Sequence, residues 1–394
     1  MPTDEPPHRP EPLASPRERL REVARLFLKL GVIGFGGPAA HIAMMRDEVV
    51  RRRGWTSDTE FMDLVGATNL IPGPNSTEMA IHLGLRRAGW RGLAVGGACF
   101  IVPAVLITLA LAVLYVHYGT KAQATWLLYG IKPAIIAIVG FALLNLGRAT
   151  VRSLVPAAIA GAVLGLYLAG VNEIVLLCGG AAAAIIVTMG PRLWKVASTG
   201  LFALPFFGLP SLSLPAGAST FSLSTLFLTF LKIGSVLYGS GYVLLAFLRS
   251  DFVERLHWLT DQQLLDAVAV GQVTPGPVLS TATFVGYIID RVPGALLATV
   301  GIFLPSFIFV ALLSRVLPHL RRSPWAGAAL DGVNAASLGL MGGVLWQLGG
   351  DAITDWYTSL LLALALVVVF AIKVNSAWIV VAGGLAGLAY KGIT

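Results

Sequence analysis

Two Pro-Gly-Pro triplets, Pro72-Gly73-Pro74 and Pro275-Gly276-Pro277, interrupt apolar segments of this chain at corresponding places. Proline removes a backbone donor and clashes with the preceding turn, and glycine frees the backbone, so no continuous helix survives either triplet. In lipid, such a break is tolerated only where protein or a water-filled cavity surrounds the freed backbone groups. Only 12% of residues are charged, against roughly 25% in a soluble domain. With a mean hydropathy of +0.79, the chain reads as an all-α polytopic membrane protein whose helices break at the two triplets.

The correspondence extends far beyond the triplets. Subtracting 72 from 275 gives an offset of 203 that holds without a gap from Phe27 to Thr77. It pairs Phe27-Leu28-Lys29 with Phe230-Leu231-Lys232, and Arg46, Trp55, Asp58 and Asp63 with Arg249, Trp258, Asp261 and Asp266. One residue is then lost, and an offset of 202 pairs Gly84 with Gly286, Gly92 with Gly294 and Pro103 with Pro305. The chain is an internal duplication, and its strongest matches surround the broken segments.

This divides the chain into a Pro-rich leader over 1–25, expected to be disordered and then amphipathic with Ser15 as a helix cap, a first repeat over 26–195, a linker over 196–225 and a second repeat over 226–394. Six apolar segments are expected in each repeat. The first two of each set, interrupted by Gly36, Gly37 and Pro38 or by the triplets, are expected as broken or re-entrant hairpins. Arginines at 51–53, 86, 87 and 91 mark cytoplasmic loops by the positive-inside rule, whereas the loop Arg249–Asp261 carries Asp251, Glu254 and Asp261 and is expected outside. The halves are therefore expected to be inverted. That arrangement needs an extra crossing in the linker, for which Leu201–Leu214 is apolar enough.

A net charge of +8 is accounted for by those loops, so no nucleic-acid partner is expected. Cys99 and Cys178 form no metal or redox spacing, and no phosphate-binding or dinucleotide motif is present. Neither cofactor nor metal is expected.

Inverted repeats with helices broken near the membrane midplane mark secondary transporters. A half-helix starting after Pro74 or Pro277 would direct unpaired N–H groups and a positive dipole end at an anion. Beside it stand Asn69, Asn75, Ser76 and Thr77 in one half, and Gln272, Thr274, Ser280 and Thr281 in the other. These side chains either bind the anion or cap the broken helix. Lys29 and Lys232, each inside an apolar segment, either hold the anion or snorkel to the interface. Asp63 and Asp266 are candidates to carry a coupling proton or to pair with a lysine; Glu78, His41 and Arg86 are further candidates for coupling or gating.

Phe35-Gly36-Gly37-Pro38-Ala39-Ala40-His41, followed by Asn69-Leu70-Ile71-Pro72-Gly73-Pro74-Asn75-Ser76-Thr77-Glu78, resembles the chromate ion transporter family. Tyr238-Gly239-Ser240-Gly241 and Val273-Thr274-Pro275-Gly276-Pro277 resemble the second half of its fused two-domain members. The resemblance implies a multi-pass inner (plasma) membrane protein with antiparallel halves, which exports chromate through the lipid bilayer and confers chromate resistance. Because His41, Asn75 and Glu78 have no counterpart in the second half, the two halves are expected to contribute unequally. Sulfate or another oxyanion is the alternative cargo, and an intramembrane enzyme acting on lipid phosphate is the alternative class. A homodimer is compatible with the sequence.

Overall fold

The computed structural model describes residues 15–69, 71–119, 121–197, 221–238, 243–320, 324–372 and 376–393, without the side chains of 191–197, 313, 315–320 and 372. Each repeat runs through the same series of helices. The first comprises α1 (Pro16–Ile33), α2 (Gly37–Arg46), α3 (Asp58–Thr68), α4 (Asn75–Tyr118), α5 (Ala122–Thr150), α6 (Leu154–Leu168) and α7 (Glu173–Ala197). The second comprises α8 (Leu223–Val236), α9 (Leu244–Leu248), α10 (Asp261–Val273), α11 (Thr281–Leu320), α12 (Pro324–Ala352), α13 (Trp356–Ile372) and α14 (Ser376–Ile393). A π-helical turn follows α2 at Asp47–Arg52 and α9 at Arg249–Arg255. Among the described residues, six helices are long and apolar enough to cross a membrane. No strand is present among them.

The broken segments fold back on themselves. In α4 the backbone leaves helical geometry at Ala88 and Gly89 and reverses, so that Gly84 and Gly92 pack backbone to backbone. A Cβ on Gly84 would lie 2.2 Å from the Gly92 carbonyl oxygen, and only glycine permits this approach. Arg86 and Arg87, beside that turn, reach Glu60 at the start of α3 (3.6 Å) and Glu22 near the start of α1 (2.7 Å). Thus α1 with α2, and α3 with the first arm of α4, are two hairpins opening at one end of the bundle, here called the Arg52 end. α11 makes the same turn at Asp290–Arg291, with Gly286 against Gly294.

The second stack opens at the opposite end. The outgoing arms of α4 and α11 pack antiparallel: Gly97 faces Phe307, while Leu93 clusters with Val310 and Ile71. Tyr115, late in α4, donates to Asp266 in α10 at 2.8 Å. The two repeats are therefore inverted relative to each other along the bundle axis. α7 starts at the Arg255 end, where Glu173 lies beside Ser250, and runs away from it, yet Phe221 before α8 packs edge-on against Trp258 at that same end. The expected crossing at Leu201–Leu214 lies outside the described residues.

Ion pairs repeat with the fold. Lys29–Glu48 (2.7 Å) recurs as Lys232–Asp251 (2.5 Å), and Arg46–Asp58 (2.6 Å) as Arg249–Asp261 (2.8 Å). Hydrogen bonds from Arg46 hold the Asp58 carboxyl below its ordinary range. Outside the hairpins, α5 packs on α13 and α14, and α12 on α5, α6 and α7, through small residues such as Gly130 against Gly383 and Gly180 against Gly332.

Candidate functional site

The tips of the broken segments meet in the middle of the bundle and exchange backbone hydrogen bonds. The Gly73 N–H donates to the Leu237 carbonyl at 2.7 Å, and the Gly276 N–H to the Gly34 carbonyl at 2.7 Å. At the offset of 203, Gly73 corresponds to Gly276 and Gly34 to Leu237. Each triplet is thus fixed by the end of the other repeat's first helix. Gly73 (φ 137°) and Gly276 (φ 87°) lie in the left-handed region that side chains rarely adopt, which explains the glycine at the centre of both triplets.

At the first tip, α4 begins at Asn75 directly after Pro74, and no side chain caps its first turn. The N–H groups of Thr77 and Glu78 turn back to the Pro74 carbonyl. The leading residues Asn75 and Ser76 thus present uncapped N–H groups and the positive end of the helix dipole. The Asn75 side-chain amide donates to Asn69 across the tip, tying the end of α3 to the start of α4. Ser76, Thr77 and Glu78 are buried. A Cβ on Gly73 would lie 2.1 Å from Glu78 Oε1 and 2.8 Å from Ser306 Oγ, so the missing side chain leaves room for both groups. Thr77 Oγ1, both Glu78 oxygens, both His82 ring nitrogens and Ser306 Oγ are buried without a hydrogen-bond partner. Of these, Glu78 and Ser306 both flank Gly73, so buried polar atoms that would ordinarily be hydrogen-bonded meet at this tip.

The second tip likewise has no side-chain cap, but its hydroxyls have partners: Thr281 donates to the Val278 carbonyl and Thr274 to the Val270 carbonyl. A 3₁₀ turn, Val278–Ser280, precedes α11. Thr108 Oγ1 lies 3.2 Å from Ser280 Oγ and 3.4 Å from Thr274 Oγ1, and Gln272 is buried beside them. Gly276 faces Ala104 Cβ at 3.0 Å where Gly73 faces Ser306.

The remaining candidates separate into different surroundings. His41 contacts the Gly34 carbonyl through Nε2 at 2.9 Å, which makes that nitrogen the donor, and so buttresses the acceptor of the Gly276 bond. Gly36 and Gly37, both at positive φ, form the tip between α1 and α2. Lys29 and Lys232 pair with Glu48 and Asp251. Arg86 lies at the Arg52 end against Glu60. Asp63 is exposed, whereas its repeat partner Asp266 is buried against Tyr115 and faces Lys132 of α5. Ser306 and Lys132 are not marked by any sequence motif, and Tyr238 is marked only as part of the family motif. Ser306 could have been found, because it differs from its partner Ala104 just after the matched prolines Pro305 and Pro103.

Comparison with known proteins agrees with the duplication. A family model described as chromate transporter matches residues 21–186 and again residues 224–388. The chain is 30% identical over 388 residues to a probable chromate transport protein of Synechococcus elongatus, covering 95% of this chain and 96% of that protein. It is 30% identical to the chromate transport protein of Cupriavidus metallidurans (94% and 92% covered) and 31% identical to that of Pseudomonas aeruginosa (96% and 93% covered). No solved structure matches the chain. The chain belongs to the chromate transporter family, as a fused two-domain, multi-pass membrane protein, and it is a transporter rather than an enzyme.

Proposed function

We propose that this member of the chromate transporter family exports chromate from the cell across the inner (plasma) membrane, holding the tetrahedral dianion at the N-terminus of α4 and moving it by alternating access. The observation that carries this reading is the uncapped first turn of α4 at the Pro72-Gly73-Pro74 tip, set in the middle of the bundle among unsatisfied hydroxyls. Asn69, Asn75, Ser76 and Thr77 supply donors around it. The second tip, with Gln272, Ser280 and Pro275-Gly276-Pro277, completes the floor of the site.

The inequality of the two hairpin stacks supports alternating access. Met62 is 51% exposed while its repeat partner Leu265 is 0% exposed. Asp63, Gly66 and Asn69 are likewise open, where Asp266, Ala269 and Gln272 are buried. In the second repeat α10 packs against α5, α12 and α14, and α3 makes no comparable packing with α5, α12 or α7 among the described residues. On this reading the route to the site is open at the Arg52 end and closed at the Arg255 end, and the opposite state exchanges the two arrangements.

The test is accumulation of labelled chromate in proteoliposomes of the purified protein, with sulfate as competitor. Chromate accumulation above protein-free vesicles supports the reading. Transport of sulfate with no transport of chromate would replace the cargo but keep the mechanism.

A further inference from the structure

Both oxygens of the Glu78 carboxyl are fully buried and accept no hydrogen bond. They lie beside Gly73, at the mouth of the α4 first turn. A carboxylate with neither donor nor counter-ion is among the costliest groups to bury. The groups near it are Ser306 from α11, whose hydroxyl is also unpartnered, and the Tyr238 phenol just after α8, with His82 one turn further along α4. Among the described residues no lysine or arginine pairs with it. The uncapped N–H groups and the positive dipole end of α4 can stabilise one negative occupant, and Glu78 already stands where a bound anion would be its neighbour.

We propose, resting on the reading of α4 as the anion site, that this is a joint site for one oxyanion and one proton. When the anion settles at the α4 N-terminus, a carboxyl oxygen of Glu78 takes a proton from the aqueous side, forming an O–H bond. When the anion leaves, that O–H bond breaks and the proton returns to water. The anion then never faces an ionised carboxylate. Ser306 Oγ stands on the other side of the space left by Gly73, and the second repeat has nothing equivalent. Ala104 stands in place of Ser306, and Val278-Leu279-Ser280-Thr281 carries no carboxylate. One proton accompanies each anion, not two.

The experiment uses the full chain in detergent or nanodiscs and follows chromate binding and proton uptake together. A pH indicator in weak buffer reports the protons, in the alkaline range where free chromate is already the dianion. Above the pH at which Glu78 of the empty site ionises, wild type is expected to take up about one proton per anion, with affinity falling about tenfold per pH unit. Glu78→Gln is expected to bind with one affinity at every pH and to take up no proton. Chromate binding by wild type without proton uptake overturns the joint site and leaves the anion site standing. Proton uptake that persists in Glu78→Gln assigns the proton elsewhere and also overturns it. Should the variant fail to fold, the wild-type stoichiometry decides alone. Absence of chromate and sulfate binding in folded wild type removes the anion site itself, and the proposal with it.

Discussion

The N–H of Gly73 donates to the carbonyl of Leu237 at 2.7 Å, joining the broken helix of one repeat to the end of the first helix of the other. The equivalent bond from Gly276 to Gly34 has the same length. Two half-sites are thereby locked together at the point where both sets of helices are discontinuous. Neither broken segment satisfies its own backbone; each depends on the other half, as irregular backbone within a membrane protein must depend on surrounding protein.

Gly73→Ala should damage the first tip more than Gly276→Ala damages the second. Both positions have positive φ, at a cost of about 1–3 kcal/mol for a side chain. At Gly73 the new methyl would also overlap the Glu78 carboxyl and press on Ser306, whereas at Gly276 the nearest atom is Ala104 Cβ at 3.0 Å. Initial transport rates per folded molecule should therefore fall further in Gly73→Ala. Equal rates in the two variants would show that the first tip has no special role.

The inverted arrangement predicts unequal access to the two ends. Single cysteines replacing Arg52 and Arg255 in a background lacking Cys99 and Cys178 should differ in labelling by an impermeant thiol reagent applied outside the cell. The Arg255 position should react and the Arg52 position should not. Equal labelling would contradict the orientation.

Lys232→Gln should lower thermal stability more than Lys29→Gln. Asp251 is buried and would keep only Arg255, a loss of about 1–3 kcal/mol. Lys29 is half-exposed, and Glu48 retains Arg52 and Arg53, so that loss should stay below about 1 kcal/mol. Melting temperatures of the purified variants check the order. A weakened substrate affinity in a folded variant would instead place the lysine at the anion.

Gly84→Ala should prevent the two arms of α4 from closing, because its methyl would meet the Gly92 carbonyl at 2.2 Å. Gly161→Ala, with nothing within 4 Å of the added carbon, should be silent. The fraction of monodisperse protein recovered in detergent distinguishes them.

The duplication was legible because the offset of 203 is gap-free across the charged and glycine positions that the fold reuses, from Lys29 to Pro74. Re-entrant hairpins were legible from the triplets, since proline and glycine act locally. The partners of the two tips and of the two lysines were not, for two reasons. A backbone bond from Gly73 to Leu237 uses no side chain at the acceptor, so no residue type announces it. The lysine partners Glu48 and Asp251 sit on π-helical turns, whose register sequence periodicity does not give. The different burial of Asp63 and Asp266 was hidden for another reason: the two residues are identical, and only the packing of α5, α12 and α14 separates them.

The central claim is that the anion sits where α4 begins, and replacement of Pro72-Gly73-Pro74 by three alanines tests it most directly. Alanine restores the missing backbone donors and helix propensity, about 3 kcal/mol per proline position, so the tip should run on as helix and its free N-terminus should vanish. Labelled chromate uptake into proteoliposomes containing equal amounts of inserted protein is the measurement. The account predicts that uptake falls to the level of protein-free vesicles in this variant, and falls less when Pro275-Gly276-Pro277 is replaced instead. Wild-type uptake by a normally inserted 72–74 variant would contradict it.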